Sequence, residues 1–327
     1  MPLTRRLALA ALLAPAVAPG IAWGQAAPWP SRSLRFVSSS PPAGASDILT
    51  RTLAQAVQDQ TGQSVVVENR ASAGGVVGSD YVAKSMPDGL TWLTTNVGPQ
   101  AIVRALQPSL PYDTRADFRH VTIIGTLPLV LVVNPNTIPA RDLAGFIALA
   151  RAQPGAMNYG TGGNGTLHHL TGEMLKLAAG IDVVHVPYRG AQAATQDLIG
   201  GRIQAMWDSL PSAAPHIRAG TLIPLAVSGA ARSPAFPAVP TVAEQGFPTV
   251  VTTNWFGMAG PARAPEDSVQ GLYRELSRAL ATTAVKDRFA SIGVEPGGMP
   301  PAETQAFVLA EIARWDEVVK RTGVTLD

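Results

Sequence analysis

The chain alternates short apolar runs with stretches whose apolar residues recur at three- and four-residue spacing, the mark of strands interleaved with helices. Residues 33–38 (SLRFVS) read as a first strand, followed by the turn-rich PPAGAS. Ser46 is placed as the N-cap of a helix with Ile48, Leu49, Leu53, Ala54 and Val57 on its apolar face, and Gly62 supplies the stop. A second strand is expected at 64–68 (SVVVE). Residues 69–78 form a loop into a helix running through Ala83, and the Asp88-Gly89 turn precedes a third strand at 91–95. This order predicts an α/β unit with a largely parallel sheet.

Residues 121–134 (VTIIGTLPLVLVVN) are long, apolar and broken by Gly125 and Pro128, which suits a strand passing from one lobe to another. A second series follows: helix 143–152, strand 157–159, helix 167–179, then strands at 183–186, 203–208 and 223–228. A further extended run at 252–259 (TTNWFGMA) returns the chain. The C-terminal part is helical, with Val269, Leu272, Tyr273, Leu276 and Leu280 on one face and Val308, Ile312, Trp315 and Val319 on another. The expected division is a discontinuous lobe one, 25–126 plus 252–327, and a lobe two, 127–251. Two lobes joined by two crossing strands enclose a cleft, and ligands of open α/β sheets sit beyond the carboxyl ends of the strands. The loops after the strands are therefore the place to look for function.

Residues 1–24 carry Arg5 and Arg6, then an apolar run interrupted by Pro15, then Ala22-Trp23-Gly24 with small residues at −3 and −1. This is the pattern of a cleaved secretory leader, too short and too broken for a spanning helix. Thr4-Arg5-Arg6 leaves both the general and the twin-arginine export routes open. The mature chain is expected to be soluble and exported. Across 327 residues, 46% are apolar and only 15% charged, a composition that fills cores and excludes a disordered chain. There is no cysteine, which removes disulfides, thiolate metal sites and Cys nucleophiles. The formal charge is +2; without Arg5 and Arg6, 23 basic residues stand against 23 acidic ones. Nothing in that balance argues for nucleic acid as a partner.

The most marked local feature is GTGGNGT at 160–166, between a short strand and a well-defined helix. Gly160, Gly162 and Gly165 satisfy G-x-G-x-x-G. The acid a dinucleotide site requires at the end of the next strand is misplaced, since Asp182 precedes that strand. Two readings stay open: an anion site at a helix start capped by Thr166, or an ordinary Gly-rich turn. The first loop, 38–47, repeats the layout of strand, small residues and helix; Asp47 there either joins a site or merely favours the helix dipole. His168, His169 and Glu173 lack the further ligands of a metal centre. No G-x-S-x-G elbow and no Gly-Lys of a P-loop occur. No catalytic set, metal or cofactor is expected. Trp207 and Trp255 either line the cleft or fill the core.

Several blocks, taken together, resemble the solute receptors of tripartite tricarboxylate transporters, the Bug family. They are PPAGASD at 41–47, VVVENRASAGGVVGSDYVAKSMPDG at 65–89, NYGTGGNGTLHHLTGEMLK at 158–176, HVPYRGAQAATQDLIGGRIQAMWDSLPSAAPHIRAG at 185–220 and NWFGMAGPA at 254–262. The resemblance implies an α/β, two-lobed type II periplasmic-binding-protein fold with two crossing strands and an interdomain ligand cleft. It further implies a monomeric, non-enzymatic receptor that closes on a small carboxylated organic acid and hands it to the membrane permease subunits of a tripartite transporter. A receptor feeding a sensor kinase is the alternative, and a periplasmic enzyme a distant third. By the same resemblance the ligand is held by Ser40, Pro42, Ala43, Gly44, Ala45, Ser46 and Asp47 of the first loop. Thr161, Gly162, Asn164, Gly165 and Thr166 of the second loop join them, with a wall at Asn96 and Gly98 and the strand-end acid Asp208. The first loop departs from the usual Pro-Phe-Pro-Pro-Gly-Gly. Ser39 and Ser40 replace the Pro-Phe, removing an aromatic wall, and Ala43 stands where glycine is common, which makes its φ a test of that loop.

Overall fold

The computed structural model describes residues 29–107 and 109–326; the expected leader, 1–24, lies outside them. The chain begins with β1 (Leu34–Ser38), α1 (Ala45–Thr61), β2 (Val65–Asn69), α2 (Val76–Ala83) and β3 (Thr91–Asn96). A wide helical turn (Gly98–Ile102) leads into α3 (Val103–Leu106). β1 lies between β2 and β3 and is parallel to both, so the carboxyl ends of all three point to one side. Then comes β4 (Phe118–Val133), followed by α4 (Leu143–Ala152), β5 (Asn158–Thr161), α5 (Leu167–Ala179), β6 (Val184–Pro187) and α6 (Ala191–Ile199). β7 (Ala205–Ser209), α7 (Leu210–Arg218) and β8 (Ile223–Val227) complete the second series. The chain returns through β9 (Thr253–Pro261) and ends with α8 (Glu266–Ala281), α9 (Thr283–Ser291), the short β10 (Glu295–Pro296) and α10 (Pro301–Thr322).

β4 is the spine. Its first part pairs antiparallel with β9, from Phe118↔Pro261 to Pro128↔Thr253. Its second part, Leu129–Val133, pairs with β7 on one edge and with β8 on the other. The sheet order is β2-β1-β3-β9-β4-β7-β5-β6, so one continuous sheet serves two lobes and bends where β4 changes partners. Each lobe has its own core. Phe36, Leu49, Leu53, Trp92, Phe256, Leu272 and Phe289 fill lobe one. Leu131, Leu143, Phe146, Leu170 and Trp207 belong to lobe two. Val308, Ile312 and Trp315 of α10 join this second cluster, and α10 packs on α5 as well as on α3 and the preceding turn. The last helix therefore lies across the junction of the lobes, whereas the chain order alone groups it with lobe one.

Three expectations shift. α1 starts at Ala45 with Gly44 as its N-cap, and no side chain caps it. Ser46 sits inside the first turn with its hydroxyl buried and without a partner among the described residues, and the neighbouring Asp47 carboxylate folds back to take the Ala43 N–H at 2.9 Å. β5 runs on to Thr161, since parallel pairing with β6 continues through Gly160↔Val186 and Thr161↔Pro187. β4 begins at Phe118 because residues 118–120 already pair with β9. Helices 143–152 and 167–179 fall at the expected residues, fixed at their starts by Asp142, which accepts from Gly145 N, and Thr166, which accepts from His169 N. No helix among the described residues is long and apolar enough to cross a membrane.

Candidate functional site

A cavity of about 440 Å³ opens where loops from the two lobes meet. Lobe one supplies a wall from the carboxyl ends of its three parallel strands. Ser39, Ser40 and Pro41 follow β1, Ser72, Gly74 and Gly75 follow β2, and Asn96, Val97, Gly98 and Pro99 end or follow β3. Lobe two answers with Asn164, Gly165 and Thr166 from the β5–α5 loop and with Leu167 and His168 of the first turn of α5. Asn254 on β9 joins them, and Val103, Leu106, Gln107 and Leu326 complete the lining. No Asp, Glu, Lys or Arg is among these residues.

Glycine lets the lobe-one loops crowd together. Gly75 has φ +70°, and a Cβ added there would lie 3.2 Å from Ser39 Cβ. At Gly78 an added Cβ would come within 2.9 Å of Ser39 Cα. The start of α2 is thereby pressed onto the first loop. That loop is pinned from behind by Asp47, which accepts from Ala43 N, from Asn69 Nδ2 at 2.8 Å and from Arg51 Nε at 3.0 Å. Asn69 Nδ2 also reaches the Ser40 carbonyl at 3.2 Å. Burial pushes the Asp47 carboxyl up, but the bonds from Arg51, Asn69 and Ala43 outweigh it and hold the group below the ordinary carboxylate range. Ala43 has φ +64°, so this position does require the left-handed conformation.

The second loop is braced by histidines. His169 Nδ1 accepts from Gly165 N at 3.1 Å, and its ring stacks on His185 with centroids 3.7 Å apart. His185 Nε2 meets Thr161 Oγ1 at 2.6 Å. Both rings are held neutral: burial lowers His169, and burial with the neighbouring His169 and Lys176 lowers His185 to about 3. The first N–H groups of a helix have no intrahelical acceptor. In α5 the first two belong to Leu167 and His168, which line the cavity, and such N–H groups favour an anion.

Of the residues expected to bind ligand, Ser40, Asn96, Gly98, Asn164, Gly165 and Thr166 line this cavity. Pro42, Ala43, Gly44, Ala45, Ser46 and Asp47 lie outside the lining, behind Pro41, where Asp47 organises the loop. Thr161 and Gly162 sit beneath the second loop, Thr161 bonded to His185 and Gly162 within 3.2 Å of Ala191 N for an added Cβ. Asp208 is folded onto the start of α7, accepting from Ser209 N at 2.7 Å; burial raises its carboxyl against the bond to Ser212. Trp207 and Trp255 are core residues, and Trp255 Nε1 donates to the buried Glu311. No group of three or more His, Cys, Asp or Glu side chains placed to hold a metal ion occurs among the described residues.

Sequence reasoning passed over Ser72, Gly74, Gly75, His168, Asn254 and Leu326. The run Ala71–Gly75 had a usable signal, small residues and paired glycines between a strand and a helix. Asn254 and Leu326 had none, because long-range packing brings them in. A larger groove of about 660 Å³ lies on the outside of lobe one, but its charges are mutually paired, Arg35 with Glu68 and Lys84 with Asp80. The cleft is the better candidate because its polar groups come from both lobes.

A family model described as the tripartite tricarboxylate transporter family receptor matches residues 49–324. The chain is 39% identical over 299 residues to the protein BugT of Bordetella pertussis, covering 91% of each. Among solved structures, it resembles Rpa4515 of R. palustris with adipate, at 34% identity and a TM-score of 0.79 over 91% of this chain and 99% of that one. It also resembles MatC of Rhodopseudomonas palustris with bound malate, at 28% identity and 0.74 over 89% and 100%. The two-lobed periplasmic-binding-protein fold expected from the resemblance is the fold observed. The chain belongs to the receptor family of the tripartite tricarboxylate transporters, the Bug-type periplasmic solute receptors.

Proposed function

We propose that this receptor captures a small organic acid in the interlobe cleft by hinge closure, and that the closed form delivers it to the permease subunits of a tripartite transporter. One observation carries the reading. Loops from the carboxyl ends of β1, β2, β3 and β5 converge, from both lobes, on one cavity with no charged side chain among the described residues that line it. A carboxylate there is held by main-chain N–H groups at helix starts and by neutral side chains, the arrangement suited to release as well as capture. Closure follows from binding both walls at once: a ligand that touches both lobes favours the state in which they are near. The transporter partner rests on the family to which the chain belongs, and the adipate and malate in two related structures make carboxylic acids the first probes.

The test is thermal or chemical unfolding of the exported form against a broad panel of mono-, di- and tricarboxylic acids. A ligand at 100 times its dissociation constant adds about 2.7 kcal/mol to the unfolding free energy. Small-angle scattering with the best acid should show a smaller radius of gyration. Silence across the panel would sink the reading.

A further inference from the structure

Two polar side chains in the cleft are left uncommitted by the protein. Asn254 sits on β9, the strand that returns from lobe two, and it lines the cavity. Its side-chain oxygen is buried and has no hydrogen-bond partner among the described residues. His168, the second residue of α5, lines the same cavity from the opposite lobe, and no hydrogen bond or ion pair engages its ring among the described residues. The neighbouring histidines contrast with it: His169 is bonded to Gly165 and His185 to Thr161. Desolvation lowers His168 to about 4, so its ring is neutral at ordinary pH, with one N–H and one bare nitrogen.

A buried acceptor without a donor is costly. A carboxylate cannot relieve it, because an ionised carboxylate brings acceptors only. The Asn254 oxygen and the bare imidazole nitrogen both call for an O–H or N–H donor, which a ligand carrying such a group supplies. We propose that Asn254 and His168 are specificity-determining residues that select a carboxylic acid also bearing a hydroxyl or N–H group. The inference rests on the carboxylate-receptor reading and narrows it to a class. An acid without such a donor leaves the buried Asn254 oxygen without a partner, and discrimination of this type is strong where a site is built to bond a hydroxyl.

The experiment is calorimetric titration of the full exported chain with matched pairs of acids: malate against succinate, 3-hydroxybutyrate against butyrate, 3-hydroxybenzoate against benzoate. The wild-type protein should bind the hydroxylated member of the best-fitting pair about tenfold more tightly or better. Asn254→Leu and His168→Leu should each bring that ratio towards one, and Asn254→Ala serves where the leucine obstructs the cleft. Unfolding of ligand-free Asn254→Leu should occur at or above the wild-type midpoint, because the stranded oxygen is gone. Equal affinities within every pair, or a preference untouched in the variants, would overturn the assignment. Acids that bind without preference remove this inference alone. No binding by any acid removes the carboxylate reading and this inference with it.

Discussion

Ala43 holds φ at +64°, where an L side chain costs roughly 1–2 kcal/mol, and it does so because Asp47 draws its N–H into the turn. Glycine removes that cost and returns part of it through its own backbone entropy. Ala43→Gly is therefore expected to raise the unfolding free energy by about 0.5–1 kcal/mol, read by urea denaturation. A loss of stability would show that the methyl group does more than strain the loop. Asp47, Asn69 and Arg51 hold its shape from behind, while Ser39 and Ser40 meet the cavity in front. Family likeness placed the whole of 42–47 in the site; in this structure those residues lie behind Pro41, where Asp47 holds the shape of the loop.

The braced second loop makes a pH prediction. His185 and His169 have folded-state values lowered from the ordinary 6.5, His185 to about 3, so below 6.5 the unfolded chain binds more protons. Their contribution is intact above pH 6.5 and is lost as pH falls towards 3. The groups facing the pair are Glu173, Lys176, Tyr159 and Thr161. Stability should drop between pH 7 and pH 4.5, and His185→Gln should flatten part of that drop; parallel slopes would refute the assignment. Where the lobes join, Ser228 accepts from Leu129 N at 3.0 Å and donates to the Thr252 carbonyl at 2.7 Å, tying β4, the end of β8 and the approach to β9. Ser228→Ala leaves both groups buried and unpaired and should cost about 1–3 kcal/mol. At this scale the sequence was most legible where a side chain itself sets a boundary, as Thr166 and Asp142 do. It was least legible where a partner strand decides, as at Thr161 and Phe118. The glycine-marked loops could be found for the same reason, since glycine is a local requirement. Asn254, Leu106 and Leu326 reach the cleft only through contacts made across the chain, which no local pattern records.

For the molecule as a whole, a cleft with no charged side chain among the described residues that line it makes binding insensitive to salt. Recognition by N–H groups and neutral side chains acts at contact distance, whereas formal charges act over roughly a Debye length, about 10 Å at 0.1 M salt. The dissociation constant for the best acid should change less than about threefold between 0.02 and 0.5 M sodium chloride, measured by titration. A tenfold weakening would mean that a charged group beyond the lining steers the ligand. The lobes are also coupled mechanically: Glu311 on α10 accepts from Trp255 Nε1 and Trp315 Nε1, while Arg314 donates to the Val251 carbonyl. The path of β9 has a further result, in the order of assembly. In lobe one β3 must wait for a neighbour far along the chain, Leu93 pairing with Ala259, and the second core in turn needs Val308, Ile312 and Trp315 of α10. Contacts separated so widely form late. A chain emerging amino end first leaves β3 an open edge until β9 has arrived, and both cores stay incomplete until the carboxyl-terminal helices form.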